Sequence, residues 1–171
     1  DMQLANELGI QDRIVYATSI ASRNFMPYLL AACDIYAAPS RLEGFGMPQV
    51  EANACGKPVL GIKAMAMLDT LVHGETAFLA GVATEIRISE TILGPESGYP
   101  EGYRMTFDPP RIADYRASAH DIAIYLEQLL ASPELRRRMG EAGRKRVVEH
   151  FDYRVVTKQL LQILSRRLGI S

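Results

Sequence analysis

This sequence predicts an α/β fold built on a doubly wound parallel sheet, with a β-hairpin inserted at 81–117 and helices at the carboxyl end. Three observations predict it. Strands alternate with short helices along the first 80 residues. Two of those strands are almost wholly apolar, as strands buried on both faces are. After Ala80 the rhythm changes to polar–apolar alternation, and then to amphipathic helices.

The elements follow in order. Met2, Ala5 and Leu8 lie on one helical face, and Gly9 ends that helix. No strand precedes it, although a helix in an alternating α/β pattern normally follows one. The chain therefore reads as a single domain, 1–171, of a longer two-domain protein. "RIVYAT" (13–18) reads as a strand, and "NFMPYLLAACD" (24–34) as a short helix with Pro27 in its first turn. "IYAAPS" (35–40) is the first buried strand. "MPQVEANACG" (47–56) is a helix with Pro48 at its start and Gly56 at its end. "PVLGI" (58–62) is the second buried strand, and "GETAFLA" (74–80) a turn and another short strand.

Beyond Ala80, "TEIRISETI" (84–92) sets Ile86, Ile88 and Ile92 against Arg87, Ser89 and Thr91. "YRMTFD" (103–108) alternates likewise, with Tyr103, Met105 and Phe107 apolar. The Gly- and Pro-rich "LGPESGYPEG" between them makes a long hairpin tip. The apolar residues of both runs are expected on one shared face, resting on the domain or on a partner, since a lone hairpin is marginal in water. Three helices close the chain. Ser118 caps 118–131, and Ser132, Pro133 and Glu134 open 132–151. The span 152–168 is amphipathic. The arginines of 132–151 read as a solvated face. There is no internal repeat and no low-complexity tract.

Composition narrows the function. The chain has 171 residues, 48% of them apolar, which suits a real core and excludes disorder. A net charge of −1 without a basic block argues against nucleic acid as partner. No apolar run nears a membrane span, and no signal peptide is visible. Cys33 and Cys55 read as small packed hydrophobes rather than a disulfide, which fits a reducing cytoplasm.

The chemistry concentrates in "PSRLEGFGMPQVEANACG" (39–56), which leaves a buried strand and enters a helix. In open α/β sheets that is where ligands bind. Gly44 and Gly46 permit close backbone approach, and the helix start at Met47–Gln49 offers unpaired N–H groups and a positive dipole end suited to phosphate. Glu43 and Glu51, eight positions apart, are poor phosphate partners but good acceptors for hydroxyls. Phosphate donors between two hydroxyl acceptors describe a sugar–diphosphate–nucleoside. Other readings weigh less. A glycine-rich turn before a helix is common, and both acids could be surface charges. A glycosidase pair is disfavoured because the chain has no Trp on which to stack sugar rings. A metal pair finds no His or Asp cluster; Asp34 and Asp69 are the nearest candidates.

The stretch "PSRLEGFGMPQVEANACGKPVL" closely resembles the signature of the retaining glycosyltransferases of family 4 (group 1). That motif is a Glu, seven residues, then a Glu, around a Gly-Phe-Gly-x-Pro core. It stands in the second, Rossmann-like half of a GT-B fold, the donor-binding domain. "AACDIYAAPS", "CGKPV", "HGETAFL" and the terminal helices are similar too, so the resemblance spans nearly the whole chain outside 81–117. It implies that Glu43 meets the donor sugar hydroxyls and orients the anomeric carbon, as the catalytic acid of this half. Gly44, Phe45 and Gly46 would form the turn beside the sugar. Met47, Pro48, Gln49 and Val50 would open the helix under the diphosphate, Glu51 would hold the ribose hydroxyls, and Thr18 and Ser19 would lie along the nucleobase.

The resemblance also implies sugar transfer from a nucleotide-diphosphate donor with retention, needing no metal or other cofactor. The acceptor would be a glycan, lipid or small molecule, the setting cytoplasmic, with room for peripheral contact at the inner face of the membrane. The sequence departs from the family at Thr18, often Gly, and at "KAMAMLD" (63–69), where Met65 and Ala66 replace two glycines. The family's diphosphate-gripping Arg and Lys, and its catalytic His, belong before Asp1 and to the missing N-terminal half. None of His73, His120 or His150 matches that His. The isolated chain is therefore expected to be inactive. The alternative is a catalytically silent nucleotide-sugar-binding or interaction module. A GT-B sugar-nucleotide epimerase is disfavoured by the Glu–Glu spacing.

Overall fold

The computed structural model describes residues 2–17 and 22–169. In order these form α1 (Met2–Glu7), α2 (Met26–Ala32), β1 (Tyr36–Ala37), α3 (Met47–Ala54), β2 (Val59–Ile62), α4 (Met67–Thr70), β3 (Ala77–Ala80), β4 (Val82–Leu93), β5 (Tyr103–Ala117), α5 (Ala119–Ala131), α6 (Pro133–His150) and α7 (Tyr153–Leu168).

The predicted parallel sheet is present as β1-β2-β3, with Tyr36 opposite Val59 and Val59 opposite Ala77. Every residue of β2 and β3 is buried, because helices cover both faces. On one face Val59, Ala77 and Leu79 pack with Leu30 of α2, Ala52 of α3 and Met67 of α4. On the other, Leu60 and Phe78 pack with Leu129 of α5 and Met139 of α6. The core thus lies on both sides of β2 and β3, with β2 central and β1 and β3 at the edges of the described sheet.

Two strand expectations shrink. The strand foreseen over 35–40 pairs only at Tyr36 and Ala37, and as an edge strand it is not buried on both faces as expected: Tyr36 is half-buried and Ala37 exposed. The one foreseen over 13–18 does not form in its described part. Gln11–Arg13 is a 3-10 turn, residues 14–17 pair with nothing regular, and Val15 is 93% exposed. Its β-branched residues carry strand propensity, but propensity without a neighbouring ladder makes no strand. Thr18, its last residue, lies outside the described residues. The short α4 was not foreseen.

The two hairpin strands are longer than the alternating runs at 84–92 and 103–108. β4 and β5 pair antiparallel from Val82–Ala117 out to Leu93–Tyr103. Pro109 and Pro110 read as breakers, yet the chain continues through them. They fall in an irregularity between the Ile88–Arg111 and Glu90–Thr106 pairs, where no ladder N–H is required. The expected shared face is also corrected. Tyr103 pairs with Leu93 and Met105 with Thr91, so both lie on the face opposite Ile92, which pairs with Arg104. The extra residues on β5 invert its parity relative to β4. Ile86, Ile92 and Tyr103 stay exposed within this chain, and only the base of the hairpin, at Tyr115 and Ala117, packs on the core. At the tip Tyr99 stacks on Tyr103 at 4.9 Å.

The first two terminal helices begin where the caps read from the sequence place them, and the structure adds a third cap at Asp152. Ser118 accepts from Asp121 N, Ser132 from Leu135 N and Asp152 from Arg154 N. The hydrogen bond from the Arg154 side chain, joined by its backbone N–H, holds the Asp152 carboxyl down at about 2. A lowered folded value means that this cap contributes above the ordinary carboxylate range and is lost as pH falls towards 2.

The arginines of α6 are not simply solvated. Arg136 donates to Leu129 O and Leu130 O in the last turn of α5, at 2.6 and 3.1 Å. Arg144 donates to Ala54 O at the end of α3 (2.5 Å), and Arg146 to Thr70 O and Asp69 O at the end of α4 (3.0 and 2.7 Å). Three cations of one helix thus satisfy the orphan carbonyls of three others. Arg137, paired with Glu134 and Glu141, is the surface residue foreseen. Arg146→Ala should lower stability by about 1.5 kcal/mol in chemical denaturation, since a charged donor to two carbonyls is lost. Unchanged stability would assign those carbonyls to solvent.

Candidate functional site

Parallel strands deliver their following loops to one edge of the sheet. Three loops meet at the carboxyl edge here: 38–46 after β1, 63–66 after β2, and the base of the hairpin after β3. The meeting is direct. Glu43 N–H donates to Met65 Sδ at 3.2 Å, and Tyr115 N–H donates to Arg41 O at 2.9 Å.

Gly46 is the N-cap of α3, buried and left-handed with φ +83°. A Cβ there would stand 2.1 Å from Met67 Cε, so both backbone conformation and space favour glycine. No side chain caps α3. Val50 N–H closes the first turn onto Gly46 O, and Pro48 has no N–H to offer. The first-turn donors are therefore Met47 and Gln49, beneath an exposed Gly44–Phe45 turn. Val50 is buried.

The side chains of Phe45 and Gln49 are engaged within the fold. The Phe45 ring packs edge-on against Phe151, 5.9 Å away, at the start of the α6–α7 turn. The Gln49 side chain is buried, and its Nε2 donates to Ser40 Oγ (3.0 Å) and Ala38 O (3.3 Å), tying the loop to α3. Its Oε1 has no hydrogen-bond partner among the described residues.

Glu43 and Glu51 are both half-buried. Glu43 Oε1 accepts from Gly44 N–H at 3.2 Å. Glu51 lines a cavity of about 410 Å³ together with Met26, Pro27, Leu30, Ala54 and Cys55, a mostly apolar wall with one acid. Tyr36, at the tip of β1, stands within electrostatic reach of both. Burial raises its hydroxyl, and the charges of Glu51 and Glu43 push it further. The structure therefore gathers Glu43, Gly44, Gly46, Met47, Gln49 and Glu51 at one edge. Thr18 and Ser19 lie outside the described residues. Both cysteines are free and half-buried, and burial raises Cys33.

Sequence reasoning missed two participants. Arg41 sits inside the motif, but its partner Asp114 is 73 positions away and carries no local signal. Met65 was legible only as a bulky departure. It is the one non-glycine residue with positive φ among the described residues (52°), a backbone that glycine adopts more easily, and its sulfur reaches the Glu43 backbone. Arg41 and Asp114 hold each other tightly, and that pairing keeps the Asp114 carboxyl below the usual carboxylate range.

His73 Nδ1 accepts from Leu79 N–H at 3.0 Å, and its ring packs on Phe78 and Tyr125. Among the described residues, no group of three or more His, Cys, Asp or Glu side chains could hold a metal ion, and no helix is long and apolar enough to cross a membrane.

Comparison with known proteins gives this edge a context. A family model described as glycosyl transferases group 1 matches residues 2–101. The MMP alpha-(1->4)-mannosyltransferase of Mycolicibacterium hassiacum is 30% identical over 98% of this chain and 32% of its own length. Among solved structures, sucrose-phosphate synthase from Thermosynechococcus elongatus superposes with a TM-score of 0.68 at 22% identity, over 99% of this chain and 34% of that one. Anabaena Alr3699/HepE, solved with UDP, superposes with a TM-score of 0.67 at 22% identity, over 96% and 35%. It has also been solved with UDP-glucose. These likenesses share the Rossmann-like fold. The chain spans about a third of the length of the proteins it matches.

Proposed function

The chain belongs to the group 1 glycosyl transferases, and on that premise we propose that it is the donor-binding lobe of a retaining, two-lobed GT-B enzyme. The observation that carries the reading is the placement of Glu43 and Glu51 on either side of the Gly46 cap, with the unpaired N–H groups of Met47 and Gln49 between them. In this reading the N–H groups and helix dipole receive the diphosphate. Glu51 accepts from the ribose diol beside the cavity under α2, and Glu43 accepts from the donor sugar hydroxyls. The UDP and UDP-glucose bound by Alr3699/HepE support a nucleotide sugar as the donor class.

The bond between the anomeric carbon and the diphosphate oxygen breaks. An acceptor hydroxyl oxygen bonds to that carbon on the same face, and its proton leaves with the diphosphate. Donors fixed in advance where the diphosphate gathers charge lower the barrier. The reading calls for no metal, because the N–H groups, with cations from the second lobe, take up that charge. The second lobe also supplies the acceptor wall.

The test is NMR titration of this chain with UDP, GDP, UDP-glucose and GDP-mannose, followed by turnover with the second lobe joined to it. Binding of one pair with a dissociation constant of about 10⁻⁴–10⁻³ M is expected, because the cations of the partner lobe are missing from the site. Transfer should appear only with both lobes, since cleft closure assembles the reacting groups. Binding without transfer by the two-lobed protein would favour a silent binding module. Robust transfer by residues 1–171 alone would overturn the two-lobe reading.

A further inference from the structure

Asp114 is the one buried charged residue among those described. A buried carboxylate must be paired, and this one has two guanidinium partners. Arg41 Nε donates to both of its oxygens, at 2.9 and 3.0 Å, and Arg41 Nη2 also reaches Oδ2. Arg116 Nη2 stands 3.0 Å from the same Oδ2. The next residue, Tyr115, donates its backbone N–H to Arg41 O. The base of the hairpin therefore grips Arg41 by side chain and backbone together. Arg41 is two residues before Glu43, in a loop with no regular structure of its own. Its side chain is 62% exposed, so apart from this pairing little else holds it.

The geometry points to Asp114 as a positioning residue for Glu43, acting through Arg41, so that the β4–β5 hairpin is a working part of the sugar end of the site. This rests on the donor-site reading above. Asp114 itself touches no ligand. By fixing Arg41 it fixes where the loop places the Glu43 carboxylate relative to the start of α3. The helix N–H groups and Glu51 stand on α3 and do not depend on it. The role should therefore show in recognition of the sugar and not of the nucleotide.

NMR titrations with UDP, UDP-glucose, GDP and GDP-mannose separate these cases. Asp114→Asn is expected to leave the dissociation constant of the bound nucleoside diphosphate within about twofold and to weaken its sugar nucleotide about tenfold. Arg41→Ala should do the same, and the double variant should be no worse than the weaker single one, because one contact is removed twice. Arg41→Lys keeps the charge but loses the fork, and should fall between. If Asp114→Asn fails to fold, the two Arg41 variants carry the same comparison at an exposed position. Equal weakening of both ligand types, additive losses, or no change would overturn the inference and leave a pair that only anchors the hairpin. A wild-type chain that binds none of the four ligands would overturn the donor reading and this inference with it.

Discussion

Gly140→Ala is expected to lower the thermal midpoint by about 4–8 °C. A Cβ at Gly140 would lie 2.0 Å from Gly56 O, 2.7 Å from Gly56 C and 3.4 Å from Lys57 N. All three are backbone atoms, so no flexible side chain can give way, and α6 must move off the end of α3. One turn on, Gly143 repeats the arrangement: a Cβ there would meet Asn53 Nδ2 at 2.6 Å. Asn53 cannot turn freely, because Nδ2 donates to Lys57 O (3.0 Å) and Thr76 O (3.2 Å). Overpacking of this kind costs about 3 kcal/mol, and the better helix propensity of alanine offsets about 1 of it. The net loss of about 2 kcal/mol corresponds to the shift stated for a domain of this size. Gly44→Ala is the control: a Cβ there meets nothing within 4 Å, and stability should stay within about 0.5 kcal/mol. A Gly140→Ala midpoint within about 2 °C of wild type would show that α6 and α3 are not held at this distance in solution.

Glu51→Ala should weaken nucleoside diphosphate binding about 10- to 150-fold, the equivalent of one hydrogen bond to a charged group, about 1.5–3 kcal/mol. Glu51 is the sole acid on the wall of the cavity under α2, and in the donor-lobe reading the ribose diol that every such nucleotide carries would meet it. Glu43→Gln should behave differently. Its carboxylate belongs to the turn before the helix, where only the sugar would reach it. The nucleoside diphosphate affinity should survive, while sugar-nucleotide affinity and two-lobe turnover fall. NMR titration of the two variants against the same pair of ligands distinguishes them. Parallel loss of nucleoside diphosphate binding in both would show that the two acids share one ligand group. Full retention by a folded Glu51→Ala variant would remove Glu51 from the ribose.

What the sequence by itself determined were the features whose causes lie within a few residues. Ser118 and Ser132 each accept from a backbone N–H three positions on, so the starts of α5 and α6 were readable as they stand; the Asp152 cap of α7 is equally local but was not read. Pro48 and Gly46 mark the start of α3 in the same local way, and the apolar run of β2 announced burial on both faces, whereas the equally apolar run at 35–40 ends up at the sheet edge with Ala37 exposed. The order of the site residues along 43–51 was legible for that reason. Tertiary structure decided what depends on distant partners. Residues 13–17 have the composition of a strand, but no described neighbour supplies a ladder. The prolines of β5 are tolerated because β4 leaves a gap in its pairing there. Arg136, Arg144 and Arg146 look like a solvated stripe until three other helix ends arrive beneath them. The loop that carries Glu43 is held by Met65, 22 positions away, and by the grip of Asp114 on Arg41, 73 positions apart. A cap is a contact within one turn of chain, and its residues must be neighbours in sequence. A buried ion pair or a helix–helix approach needs only neighbours in space, which the chain acquires when the core closes.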